Sequence, residues 1–203
     1  MPRALIVIDV QNAYAAELPI EYPPLAQTLH NVGRAMDAAQ AAGVPIVMVQ
    51  QAAPASAGLF GTGSPSWRLH EAVAHRPHDH LVQKRLPSAL AGTGLGDWLR
   101  ARGIDTLTVA GYMTQNCDDA TVKQAAHEGY AVEFLSDASG TLPLANRAGS
   151  ASAEEIHRVT LVVMQSGFAA VLRTEEWVET LASGAAPERD DILTSNRRAR
   201  GLV

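Results

Sequence analysis

The chain has 203 residues, which suits one domain with at most a short appendage. Hydrophobic residues make up 47% and charged residues 18%, enough for a packed core and too apolar for a disordered chain. A net charge of −5, with one dense basic cluster at Arg197, Arg198 and Arg200, argues against a nucleic-acid partner, and no run approaches the ~20 apolar residues that cross a bilayer.

Residues 4–10 read as a strand buried on both faces, being rich in β-branched residues. The run is too short for a secretory h-region and holds an acid, Asp9, so a cytoplasmic location is expected. A helical stripe of Leu25, Leu29, Val32 and Met36 predicts a helix over 24–42, with Gly43 as its stop. Residues 44–49 form a second predicted strand. From 51 to about 78 the chain is rich in Gly and Pro and reads as one long loop, a length that in a compact domain points to function.

A short strand at 81–83 follows, then a helix over 95–102 stopped by Gly103, a strand over 104–110 and a tight connection over 111–116. Residues 117–128 predict a helix ended by Gly129, and 130–135 a strand. Ser152 and Glu155 have capping-box spacing before a helix carrying Ile156, Val159 and Val163. The last strand falls at 168–172 and a final helix at 175–181. This alternation predicts an α/β, three-layer Rossmann-like fold, a mainly parallel sheet of about six strands with helices on both faces. One domain spans 1–183; the polar segment 184–203 is expected to be a flexible tail or an arm reaching a neighbouring subunit.

Ligands of open parallel sheets bind at the carboxyl ends of the strands. That rule gathers three reactive side chains: Asp9 ending the first strand, Lys84 just past the third, and Cys117 after the fourth, where a helix begins. Each alone has an ordinary explanation, a turn former, a surface charge and a small buried hydrophobe; their coincidence carries the argument. Cys117 is also the one cysteine, so no intramolecular disulfide can form, which fits a reducing compartment. A thiol attacks a carbonyl as thiolate, and free N–H groups at a helix start would favour that form. Asp9 could take the thiol proton and return it to a departing amine, with Lys84 holding the carboxylate and lowering its pKa. The turn over 111–116 would offer N–H groups to a tetrahedral oxyanion.

With those residues in view, the chain resembles the isochorismatase-like cysteine hydrolase family, which includes nicotinamidase and N-carbamoylsarcosine amidase. The resemblance rests on ALIVIDVQNAY over 4–14, LVQKRLPSAL over 81–90 and AGYMTQNCDDAT over 110–121, and extends over about 4–181. It implies a catalytic triad of Asp9, Lys84 and Cys117, hydrolysis of a C–N bond in a small amide-like substrate through a thioester, and assembly as a homodimer or homotetramer. It also implies a non-proline cis peptide between Tyr112 and Met113, with the N–H groups of Met113 and Cys117 forming the oxyanion hole. The Asp-x-His pair of metal-binding nicotinamidases is missing after the second strand. His75, His78 and His80 read as a solvated turn, so metal-free activity is expected and no metal residue or cofactor is assigned; no GxGxxG follows the first strand.

Tyr14, Trp67, Tyr112 and Leu86 are expected to wall a compact apolar pocket with Met113 and Leu90, and Phe60 is a secondary candidate. Asp118 and Asp119 would oppose a thiolate beside them, and Asp137 reads first as a turn former. Two alternatives stay open: an ether-cleaving hydrolase of the same fold, against which Cys117 argues, and a non-catalytic binding or thiol-sensing protein.

Overall fold

A computed structural model describes residues 2–202, so Met1 and Val203, the outer ends of the two predicted units, lie outside the described residues. Strands β1 (Arg3–Ile8), β2 (Ile46–Gln51), β3 (His80–Lys84), β4 (Thr106–Tyr112) and β5 (Ala131–Gly140) alternate with helices α1 (Leu25–Ala41), α2 (Glu71–Ala74), α3 (Leu95–Arg100) and α4 (Asp119–His127). A hairpin of β6 (Leu144–Asn146) and β7 (Gly149–Ala151) precedes α5 (Ala153–Gln165), β8 (Ala170–Leu172), α6 (Thr174–Ser183) and α7 (Ile192–Ala199).

Six strands form one parallel sheet in the order β3-β2-β1-β4-β5-β8. Strand residues alternate between its faces. Ala4, Ile6, Ile8, Val47, Val49, Leu107 and Phe134 pack against Leu95 and Leu99 of α3, Val122 and Ala125 of α4, and Met164 of α5. Leu5, Val7, Ile46, Met48, Ala110 and Leu135 meet Val32, Met36 and Ala39 of α1 and Trp177 of α6 on the other face. Burial of both faces explains why these strands read as unbroken apolar runs. The chain winds outward from β1 in both directions, so strand order reverses between β1 and β4, and a crevice opens at their carboxyl ends.

The closest approach in that crevice is at Gly111, which pairs with Ile8 and has φ +124. A Cβ there would lie 2.0 Å from the Ile8 carbonyl oxygen, so glycine alone fits. At the opposite end of the sheet, the buried Glu133 accepts hydrogen bonds from Arg3 (3.0 Å), Thr108 (2.7 Å) and Trp177 Nε1 (2.9 Å), fixing α6 to β4 and β5.

Several expectations need correction. The long loop contains α2, whose N-terminus is capped by the His70 ring. Cys117 does not open an α-helix: residues Thr114–Asp118 form a single π-helical turn, and α4 starts at Asp119. Lys84 is the last residue of β3 rather than the residue beyond it. The β6–β7 hairpin is an addition to the expected elements, and α6 is not the last helix. Within the polar segment, Asp191 caps α7 through Thr194 N–H, and Arg189 reaches the Val132 carbonyl at 2.9 Å. The capping box at Ser152 and Glu155 forms as expected.

Candidate active site

The carboxyl ends of β1, β3 and β4 bring Asp9, Lys84 and Cys117 together. Asp9 follows β1 with φ +51, a left-handed conformation that aspartate tolerates better than most residues. Its backbone is fixed there, with its N–H on the Val49 carbonyl at 2.9 Å and its own carbonyl accepting from Gln11 N–H at 2.7 Å. Lys84 Nζ lies 2.7 Å from Asp9 Oδ2, 2.7 Å from Gln51 Oε1 and 3.1 Å from Cys117 Sγ. Neither Asp9 oxygen has an aligned hydrogen-bond donor, so the Asp9–Lys84 contact is an ion pair first. Both side chains are buried.

Two ties hold the nucleophile turn. Thr121 Oγ1 donates to the Cys117 carbonyl at 2.7 Å and accepts from Ala89 N–H at 2.9 Å, linking it to the chain beyond Lys84. Thr114 Oγ1 meets His157 Nδ1 at 2.9 Å. Burial pushes His157 down to about 4, so its ring is neutral near pH 7. The Tyr112–Met113 peptide ahead of this turn is cis.

Burial governs the charges. It raises Asp9 above the usual carboxylate range, opposed by the Lys84 ammonium. It would also lower Lys84, but the charges of Asp9 and Cys117 outweigh it and hold that ammonium above its usual value. Cys117 is pushed up to about 12 by burial and then by the Asp9 charge, with Lys84 opposing. The expected resting thiolate is therefore corrected to a thiol, and Lys84 moderates rather than reverses the rise at Asp9. Asp118 turns inward and is buried, without an aligned hydrogen-bond partner among the described residues. Burial and the Asp9 charge raise it well above its normal range, with the unaligned Ser139 hydroxyl opposing. Asp119 pairs with Lys123 one turn along α4.

Above the thiol lies a cavity of about 270 Å³ lined by Tyr14, Leu18, Gln51, Leu59, Phe60, Arg85, Pro87, Met113, Asn116 and Cys117. Of the expected walls, Tyr14 and Met113 are present. Tyr112 backs the wall instead: its ring lies 5.3 Å from that of Tyr14, and its hydroxyl meets Thr28 Oγ1 at 2.7 Å. Trp67 is not in the lining. Its carbonyl accepts from Gln11 and Gln50, anchoring the loop so that Leu59 and Phe60 reach the cavity. Leu86 is 56% exposed and outside the lining, while Leu90 joins the core around α3.

Leu18, Gln51, Leu59, Arg85 and Pro87 went unassigned because their place depends on the paths the chain takes beyond β1, β2 and β3, which carry no periodicity. Asp137 is structural, accepting from Thr174 N–H and Oγ1 at the start of α6. Among the described residues, no three His, Cys, Asp or Glu side chains converge as metal ligands. His80 stacks on Trp98 at the far end of β3, away from Lys84. Among the described residues, no helix is long and apolar enough to cross a membrane.

The family model of the isochorismatase domain matches residues 3–176. A Burkholderia xenovorans LB400 protein solved as a candidate isochorismatase superposes with a TM-score of 0.97 at 57% identity, over 98% of this chain and 97% of that one. A ureidoacrylate amidohydrolase of Methylobacterium radiotolerans is 28% identical across 88% of this chain and 76% of its own length. A streptothricin hydrolase of Streptomyces noursei is 32% identical over 68% of this chain, which spans half of that enzyme. With its parallel sheet, its cysteine at the switch point and a match over most of its length, the chain belongs to the isochorismatase family of hydrolases.

Proposed function

We propose that this protein is a metal-independent cysteine hydrolase that cleaves the C–N bond of a small amide through a thioester on Cys117. The observation that carries the reading is the contact set at the cavity floor, with Lys84 Nζ 2.7 Å from Asp9 and 3.1 Å from Cys117 Sγ. Cys117 Sγ adds to the amide carbonyl carbon while its proton passes to Asp9, so no free thiolate need accumulate. The oxyanion is met by the backbone N–H groups of Met113 and Cys117, the kind of donor worth about 3 kcal/mol each in a transition state. Asp9 returns the proton to the nitrogen, the C–N bond breaks and the amine leaves. Water, deprotonated by Asp9, then attacks the thioester; the C–S bond breaks, releasing the acid and restoring the thiol. Lys84 stays charged throughout and keeps Asp9 oriented.

Tyr14, Leu18, Leu59, Phe60 and Met113 give the cavity apolar walls suited to a small substrate. Ammonia release from nicotinamide, N-carbamoyl amino acids and aliphatic amides, with and without a chelator, tests the reading. Wild type should release ammonia in chelator, Cys117→Ala should not, and a single turnover should add the acyl mass to Cys117. Turnover that survives Cys117→Ala, or is abolished by the chelator and restored by zinc, overturns it.

A further inference from the structure

Among the described residues, Arg85 supplies the one positive charge in the lining of the cavity, and no acidic side chain shares that lining. The carboxylates around the floor are not free to pair with it: Asp9 is buried and ion-paired to Lys84, Asp118 is buried, and Asp119 pairs with Lys123. Arg85 is exposed, and among the described residues no salt bridge or side-chain hydrogen bond takes up its guanidinium, as for several other surface arginines; what sets it apart is its place in the lining beside Cys117.

The backbone that carries Arg85 is nevertheless fixed. Gln51 Nε2 donates to the Arg85 carbonyl at 3.3 Å, Lys84 Nζ donates to the Leu86 carbonyl at 3.3 Å, and Pro87 restrains Leu86 ahead of it. A positioned base therefore bears an uncommitted planar fork beside an otherwise neutral and apolar chamber.

Three classes of small amide can be weighed against this chamber. A cationic one meets Arg85 and finds no acid in the lining. A neutral one leaves the guanidinium in water with nothing gained. An anionic one gains a charge-assisted, bidentate contact in the geometry that guanidinium matches best. The volume of about 270 Å³ holds roughly nine water-sized groups, the scale of an amide with a short chain and one carboxylate.

We propose that Arg85 determines specificity by binding a substrate carboxylate, so that the site takes small amides carrying a carboxylate, such as the monoamide of a short dicarboxylic acid. The assignment rests on the amide-hydrolase reading above.

Three amides on one five-carbon frame test it: glutaramate (anionic), pentanamide (neutral) and 5-aminopentanamide (cationic). Wild type should prefer them in that order by kcat/KM. Arg85→Gln should lower the glutaramate-to-pentanamide ratio by about 10- to 100-fold, the worth of a charge-assisted pair, chiefly through KM. Arg85→Lys should recover part of the ratio, and Arg85→Glu should turn the preference toward the cationic amide.

Binding of glutarate, read as a rise in Tm, gives a measure independent of turnover; the rise should appear in wild type and vanish in Arg85→Gln. Cys117-dependent turnover with an unmoved ratio in Arg85→Gln overturns the Arg85 assignment and leaves the hydrolase reading standing. A glutarate shift that depends on Arg85, with none of the three amides hydrolysed, upholds the anion subsite and counts against the hydrolase reading. A glutarate shift equal in wild type and Arg85→Gln overturns the subsite.

Discussion

Replacing Lys84 with methionine keeps a long apolar stem in place but strands the buried Asp9 without its cation. Breaking a buried ion pair by removing one partner costs about 3–5 kcal/mol, and both groups here are essentially inaccessible. For a chain of this size each kcal/mol lowers Tm by about 2–4 °C, so the loss is about 6–20 °C. It should also depend on pH, and the sign follows from Asp9. Burial already raises that carboxyl, Lys84 opposes the rise, and without Lys84 it climbs further. A carboxyl that holds its proton longer when folded than when unfolded makes stability fall as pH rises. The fall is about 1.4 kcal/mol per unit, from the unfolded value near ~3.9 up to the folded one. Lys84→Met should therefore approach wild type at about pH 4 and fall well below it at pH 8. Thermal and urea unfolding followed by circular dichroism at both pH values measures this directly. The double variant Asp9→Asn, Lys84→Met removes the stranded charge and should regain at least half the loss. Equal Tm values for Lys84→Met and wild type at pH 8, or one constant deficit at both pH values, would refute the reasoning.

With Cys117 pushed up to about 12, roughly one part in ten thousand is thiolate at pH 8, against about a quarter for a free thiol near 8.5. Iodoacetamide should accordingly label the resting enzyme at least tenfold more slowly than free cysteine at that pH, and labelling as fast as free cysteine would contradict it. Because Asp118 is buried, points away from the cavity lining and has its carboxyl raised, the near-isosteric Asp118→Asn should keep kcat/KM within about threefold. Its raised pKa makes wild-type stability fall as pH rises above about 4, so the variant should gain on wild type as pH is raised from about 4 in urea titrations. Trp177→Phe removes the Nε1–H bond to the buried Glu133 carboxylate and should cost about 1.5–3 kcal/mol, seen as a Tm fall of about 3–12 °C.

The sheet was legible because both its faces are covered, which turns each central strand into an unbroken apolar run, and because Gly43, Gly103 and Gly129 mark where helices stop. The triad residues were legible for the same reason: once strands are placed, their carboxyl ends share one edge. What escaped reading depends on three-dimensional paths that leave little periodic trace. Residues 144–151 form a hairpin on the surface, without the alternation of a half-buried strand. In α7 polar and charged residues together outnumber the apolar ones, so it reads as tail; the available signal was Asp191 three residues before Thr194, a helix cap. Trp67 was chosen over Leu59 because a large aromatic in a long loop invites it, yet its carbonyl, bound by two glutamines, is what shapes the site. The inward turn of Asp118 follows from the π-helical turn around Cys117, and an α-helix starting at Cys117 would not have announced it.

The segment that delivers Leu59 and Phe60 is joined to the sheet and the chain after β1 by Ala52 N–H on the Lys84 carbonyl and by the Gln11 and Gln50 amides on the Trp67 carbonyl, while Ala53 N–H on the Phe60 carbonyl closes the segment on itself. Between these moorings its side chains bear on the cavity and not on the strands that carry Asp9 and Lys84. In the proposed reading the apolar walls Leu59 and Phe60 come from this stretch, while Arg85 sits beside Lys84 at the end of β3. A protein engineer can therefore graft new side chains at Leu59 and Phe60 to reshape the chamber without touching Asp9, Lys84, Arg85 or Cys117.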